Sequence, residues 1–281
     1  MKKTLALVLA ACALLCLLAG CTASPDEDTL ARIDDMLARV EAAEAKLDEL
    51  EAAPAAEEPA AETEEAASVM SHAEYEAAAI DSPVTIETYV QATQSWWEDQ
   101  ITVYAQSEDG AYFIYNMACP EADAEKLVPG THIRVTGYKA EWSGEVEIAD
   151  AAFEIIDGDG FIAEPLDVTA LLGSDELIEH QNEFVSFTGM TVMPSEAPDG
   201  SEAAFLYNWD GSGEDGNDLY FNVSLNDEVY TFTVESYLCG PGTDVYEAVK
   251  ALSVGDVVDM EGFLYWYEGV NPHITSVTAA G

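Results

Sequence analysis

Leu127-Val128-Pro129-Gly130-Thr131-His132-Ile133-Arg134-Val135-Thr136-Gly137-Tyr138 reappears, as a pattern, at Leu252-Ser253-Val254-Gly255-Asp256-Val257-Val258-Asp259-Met260-Glu261-Gly262-Phe263. In each stretch a glycine opens a run in which apolar residues alternate with polar ones, and a second glycine ends the run. Alternation with period two places Ile133 and Val135, or Val258 and Met260, on one side of an extended strand. Gly144 and Gly269 keep the same offset. The chain therefore contains a duplication, and each copy should be read with the other beside it.

Working outward from these strands, Val84–Val90, Ile101–Ala105, Tyr112–Tyr115 and Val146–Phe153 join Ile133–Tyr138 as predicted strands of the first copy. Ser107-Glu108-Asp109-Gly110 is a hairpin signal between the second and third. The second copy predicts strands at Phe184–Val192, Leu219–Leu225, Tyr230–Glu235, Val257–Leu264 and Ile274–Thr278. A helix interrupts each copy between its third and fourth strands: Pro120–Leu127 in the first, and a segment with Val245, Val249 and Leu252 on one face in the second. Five strands, a helix in that slot and Gly-x-x-apolar-x-apolar-x-Gly opening the fourth strand resemble the OB-fold. The resemblance implies a mainly β chain with two tandem five-stranded barrels, each able to bury its alternate residues only by closing around a common core. It implies no particular activity.

Cys119 and Cys239 each follow the third strand of their copy. Comparable positions in tandem copies lie farther apart than the ~7 Å that a disulfide can bridge between α-carbons, so two separate thiols are expected.

Ahead of the barrels the texture differs. Lys2 and Lys3 precede an uncharged apolar run from Leu5 to Leu18, which ends in Leu18-Ala19-Gly20-Cys21. This resembles the lipobox of bacterial lipoproteins, where the leader is removed and the cysteine carries diacylglycerol and a further acyl chain such as palmitate. Together these chains would suffice for stable anchoring. The resemblance implies a signal peptide over residues 1–20, a lipid on Cys21, a tether over 21–29 and a position on the outer face of the cell membrane; an ordinary secretory signal or an uncleaved anchor is the alternative. Leu30, Ile33, Leu37, Val40, Ala43, Leu47 and Leu50 repeat at coiled-coil spacing across residues 30–51, with a three-residue stammer after Val40. That short helix is either a homo-oligomer seam or a stalk without a fixed partner. Residues 52–70, rich in Ala, Glu and Pro, are read as a disordered acidic linker. The first barrel is then expected in 71–160 and the second in 161–281.

The full chain has 9 basic and 55 acidic side chains, a formal charge of −46. From residue 71 onward its only Lys and Arg are Lys126, Arg134, Lys139 and Lys250. Binding to nucleic acid rests on cations that neutralise phosphates, so on charge alone nucleic acid is expected to be an unlikely partner. A solvated, self-repelling surface accounts for the acidity without any partner.

Trp96 and Trp97 lie where the first strand turns toward the second, and Trp142 lies in the loop between the fourth and fifth. Tyr265, Trp266 and Tyr267 occupy the comparable loop of the second copy. In an OB barrel these loops flank the binding face, so these six are the candidate ligand-binding residues, by stacking on sugar rings or peptide. Packing of the barrel ends is the competing role. Adjacent Trp96 and Trp97 cannot both face inward in a regular strand, so one indole should be exposed.

The Asp210–Asp218 loop has the composition of a calcium site but not the EF-hand spacing: Asp215 stands where glycine is needed and Phe221 where the last glutamate would be. Asp157-Gly158-Asp159-Gly160 is shorter, and both are read as solvated turns, with no metal and no cofactor expected. The chain has no Gly-x-Ser-x-Gly, His-Glu-x-x-His, phosphate-binding glycine loop or Cys-x-x-Cys. His72, His132, His180 and His273 share no spacing. The sequence thus points to a surface-anchored, non-enzymatic binding module for an envelope glycan, peptide or protein. The rival is a scaffold assembled through residues 30–51, with the barrels as spacers.

Overall fold

The computed structural model describes residues 68–280. The leader, Cys21, the tether, the predicted coiled coil and residues 52–67 of the predicted linker lie outside the described residues.

The first barrel is built from β1 (Pro83–Thr93), β2 (Gln100–Ser107), β3 (Gly110–Ala118), β4 (His132–Trp142) and β5 (Glu145–Ile155). The strand order is β1-β2-β3-β5-β4, and β4 closes on β1 from Pro83 opposite Tyr138 to Tyr89 opposite His132. The pairing of β3 with β5, through Phe113 beside Glu147, is parallel, while the other pairings are antiparallel. Ile86, Val90, Val103, Ile114, Ile133, Val135 and Ile148 fill the interior and are excluded from solvent. Burial of each such side chain contributes roughly 1.5–3 kcal/mol before the entropy of ordering is counted. The β2–β3 hairpin turns at Glu108 and Asp109, with Ser107 opposite Gly110 as predicted.

The second barrel begins with β6 (Leu166–Asp167), laid parallel beside β7 (Phe184–Met193). Residues 194–218 then carry three two-residue strands, β8 (Ser195–Glu196), β9 (Glu202–Ala203) and β10 (Leu206–Tyr207), before β11 (Leu219–Leu225), β12 (Glu228–Val234), β13 (Val257–Phe263) and β14 (His273–Ala279). β7 pairs with both β11 and β13, and β12 pairs parallel with β14, so the ring β7-β11-β12-β14-β13 repeats the first barrel strand for strand. The fold is thus mainly β, with two five-stranded barrels of OB order.

Repeated glycines explain why the β4 and β13 sequences are alike. A β-carbon on Gly137 would lie 2.7 Å from Ile148 Cγ2, and one on Gly262 would lie 2.3 Å from the His273 carbonyl oxygen. Both glycines sit where the ladder register shifts. Only glycine lets the strand bend there and press against its neighbour to close the barrel.

The helices differ between copies. α1 (His72–Ala77), not predicted, precedes the first barrel; its Ser71 and Glu74 form a capping box, and Tyr75 enters the barrel core. Lys139 Nζ donates to the carbonyls of Tyr75, Glu76 and Ala78 at the far end of α1. α2 (Glu121–Ala124) is shorter than its predicted span and has no fully buried residue, Ala124 alone packing partly buried on the first core. α3 (Asp244–Lys250) fills the same slot in the second copy and buries Val245, Tyr246 and Val249. Cys119 packs into the first core and Cys239 against the second, unbridged. No helix among the described residues is long and apolar enough to cross a membrane.

The barrels share a third apolar cluster. Tyr104 stacks on Phe263 with ring centroids 4.6 Å apart, and Phe113 meets Tyr265 edge-on at 5.1 Å. Polar contacts fix the register: Gln181 Nε2 donates to the Gly144 carbonyl (2.8 Å), Phe184 N–H to Gln106 Oε1 (2.8 Å), and Ser95 N–H to the Tyr237 carbonyl (2.8 Å).

Candidate functional site

A cleft of about 870 Å³ opens between the barrels. One wall comes from the β4–β5 hairpin of the first barrel and another from the corresponding β13–β14 loop of the second. These two loops meet, with Glu268 N–H donating to the Ser143 carbonyl at 2.7 Å. Ser143 and Gly144 both have positive φ, the backbone a tight two-residue hairpin needs. Trp142 is thereby left at the rim, 62% exposed. Tyr267 occupies the same place in the duplicated loop and also lines the cleft.

The floor and remaining walls come from further elements. Phe113 and Tyr115 project from β3, Tyr220 from β11, and Trp209 from the 194–218 segment. Trp209 is 76% exposed. Tyr265 stacks on His273 at 4.2 Å. His273 is buried against Tyr104, its Nδ1 2.6 Å from the Tyr104 hydroxyl, and burial pulls its pKa down to about 3, so the ring is neutral.

Four carboxylates line this aromatic cleft: Glu147, Asp218, Glu235 and Glu268. Pairing of Leu219 with Val234 brings Asp218 and Glu235 to the same end of the β11–β12 ladder. Asp218 Oδ1 accepts from the Ser236 N–H (2.8 Å) and hydroxyl (2.6 Å). Glu235 is pushed up to about 7, first by burial and then by the Asp218 charge, against the N–H groups of Leu238 and Tyr237. Burial also raises Glu147, which is only 9% exposed. None of the four forms an ion pair with Lys, Arg or His among the described residues.

Just behind the Trp142 hairpin lies Glu145, wholly buried. Its Oε2 accepts from Trp266 N–H (2.9 Å) and Gln181 Nε2 (3.3 Å), while Oε1 has no partner among the described residues. Burial raises its pKa to about 8. Glu145 links the two barrels and does not line the cleft.

The six predicted aromatics divide. Trp142, Tyr265 and Tyr267 line the cleft. Trp97, 68% exposed, lines an adjoining hollow of about 320 Å³ with Gln94, Tyr115 and Tyr237. Trp96 and Trp266 do not line the cleft. The Trp96 indole donates to the Cys119 carbonyl at 2.8 Å and packs on the first core. Trp266 packs on the second core and against Gly144, whose β-carbon position lies 2.9 Å from its ring. Sequence reasoning missed Trp209 and the carboxylates. The duplicated offset singles out Trp142 and Tyr267 together, whereas nothing local marks Glu147 or Glu235 among so many acidic residues.

The acidic 210–218 loop spends its oxygens locally. Asp210 Oδ1 accepts from Ser212 N–H, Asp215 pairs with Lys250 at 2.9 Å, and Asn217 Oδ1 accepts from Glu214 N–H. Among the described residues no group of three or more His, Cys, Asp or Glu side chains is arranged to hold a metal ion.

No protein-family model and no curated protein matches the chain. Solved structures similar to it include a murine DNA-binding protein bound with double-stranded DNA, at 10% identity over 70% of this chain and 96% of that one, with a TM-score of 0.34. The HINa domain of Ifi202 in complex with 20-bp double-stranded DNA is similar at 11% identity, over 72% and 97% of the two chains, with a TM-score of 0.32. A replication protein A heterotrimer bound to single-stranded DNA follows at 10% identity, over 71% and 49%, with a TM-score of 0.28. All three of these neighbours were solved with DNA, contrary to the expectation from charge that nucleic acid is an unlikely partner, and that expectation is withdrawn. What those proteins bind is a property of those proteins.

Proposed function

We propose that this protein is a non-enzymatic binding module, held on the outer face of the cell membrane by lipid on Cys21, and that it takes its ligand in the cleft between its two barrels. The observation that carries this reading is the cleft itself: exposed Trp142 and Trp209 line it, and so do four carboxylates, of which Glu147 is buried. Concave sites with aromatic walls and a few placed polar groups are where small ligands and peptide segments bind. The contacts between the barrels suit such a role, because a preformed cleft loses little freedom on binding. An envelope glycan, peptide or protein segment is the ligand class the location calls for.

The test is thermal unfolding of the full chain in detergent micelles against envelope glycans, peptides, calcium and a single-stranded DNA oligonucleotide, beside a Trp142→Ala/Trp209→Ala variant. A ligand at 100-fold its dissociation constant adds about 2.7 kcal/mol. In a protein of this size that raises the midpoint by roughly 2–4 °C per kcal/mol. A shift lost in the variant supports the cleft. A shift that survives in the variant, with DNA or any other titrant, moves the site elsewhere, and no shift at all favours the scaffold role. Release of shorter products from an oligosaccharide would overturn the non-enzymatic reading.

A further inference from the structure

We infer that the ligand of the cleft between the barrels carries alkylammonium groups, that is, protonated primary amines on methylene chains, as in a linear polyamine or a run of lysine side chains. This deepens the cleft reading and rests on it. Glu147, Asp218, Glu235 and Glu268 all face the cleft, and no Lys or Arg lines it. The four such side chains among residues 68–280 are engaged elsewhere: Lys126 with Asp123, Arg134 with Glu87, Lys250 with Asp215, and Lys139 under three backbone carbonyls.

Glu147 is the most telling of the carboxylates. It is more than nine-tenths buried, opens into the cleft, and has no ion-pair partner among the described residues. A buried carboxylate without a partner is costly unless a cation or a donor comes to it. A neutral sugar would bring hydroxyl donors but leave the charge unbalanced; an ammonium group brings both.

The walls suit the same chemistry. Indole and phenol faces attract a cation within about 6 Å of the ring centroid, Trp most strongly. Trp142, Trp209 and Tyr267 line the cleft with exposed rings. Methylene spacers between ammonium groups would lie on the apolar ring faces, as lysine stems lie on apolar surfaces. The cleft, at about 870 Å³, has room for several such groups.

The test is isothermal titration of the full chain in detergent micelles with spermidine, with acetyl-trilysine amide and with neutral chitotriose, at low and at high salt. At least one amine should bind, and more weakly at high salt. Its affinity should fall about tenfold in Trp142→Ala, and by at least as much in Glu147→Gln and in Glu235→Gln. Trp97→Ala, in the adjoining hollow, should leave it unchanged. Spermidine alone binding identifies a free polyamine, and trilysine binding identifies a basic segment of a protein. Failure of both amines, or amine binding undiminished in both glutamine variants, overturns the inference. Chitotriose binding that is lost in Trp142→Ala while both amines fail would overturn it and leave the cleft reading standing. Silence from all three titrants, with the thermal panel also flat, would remove both.

Discussion

Replacing Glu145 with Gln should change the pH dependence of stability far more than stability itself at mildly acidic pH. The carboxyl is wholly buried between the barrels, and burial carries it from an ordinary 4.5 to about 8. Between those values the folded protein keeps a proton that the unfolded chain has released, so stability falls as pH rises. The stabilisation is fully present below about pH 4.5 and is lost as pH passes through about 8. At about 1.4 kcal/mol for each tenfold in proton affinity, the span amounts to about 5 kcal/mol, an upper figure because water entering the interface lowers it. Glutamine is neutral throughout and can still accept from the Trp266 N–H through its carbonyl. Its amide nitrogen faces the place where Oε1 has no partner, as the carboxyl's own O–H does when protonated, so this cost of roughly 1–3 kcal/mol is common to both proteins in mild acid. The two proteins should therefore be of similar stability in mild acid, and the variant should be the more stable in mild alkali. Urea unfolding of both proteins across that range reads the two curves, and the difference cancels the self-repulsion that all the other carboxylates contribute. Parallel curves would refute the reasoning and mean that Glu145 is ionised in the folded protein.

Three other outcomes follow from the same packing. Gly262→Ala should lose about 3 kcal/mol in urea unfolding, because its new methyl would lie 2.3 Å from the His273 carbonyl oxygen, where the strand must shift to admit it. Tyr104→Phe should cost roughly 1–3 kcal/mol, since it strips His273 Nδ1 and Gln94 Nε2 of a buried hydroxyl; a loss confined to the surface range of about 0.5 kcal/mol would show that the hydroxyl is dispensable. Cys119 and Cys239, both raised by burial, the latter to about 11, should resist a thiol reagent in the native protein and react together on denaturation, as a colorimetric thiol count would read.

What could be read from sequence was whatever repeats locally. The alternation in Ile133–Tyr138 and Val257–Leu264, with glycines at matching places, carries the barrel order because closing a small barrel needs those glycines where β4 and β5, or β13 and β14, press together. All ten predicted strands are present. The short strands of residues 194–218 have no periodicity to read, and α1 was missed although Ser71 and Glu74 spell a capping box. The cleft was only half legible. Trp142 and Tyr267 could be seen as loop aromatics, but whether an indole faces a cavity or a core depends on what packs beside it. Trp96 turns in to cap Cys119 while its neighbour Trp97 turns out. Trp266 is claimed by Gly144 and Glu145 of the other barrel, contacts separated by more than a hundred residues in the chain. Asp218, Glu235 and Glu147 become a group only when two ladders and a barrel interface bring them together.

The five tryptophans are reporters placed on both sides of that question. The most direct measurement is a nitrogen–proton correlation spectrum of the indole groups of the full chain during titration with spermidine or, if that is silent, with whichever ligand shifts the thermal midpoint. Binding in the cleft predicts that the Trp142 and Trp209 signals move together and saturate at one affinity, while Trp96, locked onto the Cys119 carbonyl, stays in place. Movement of Trp97 or Trp96 with Trp142 and Trp209 unmoved would put the ligand on the first barrel alone and contradict the account.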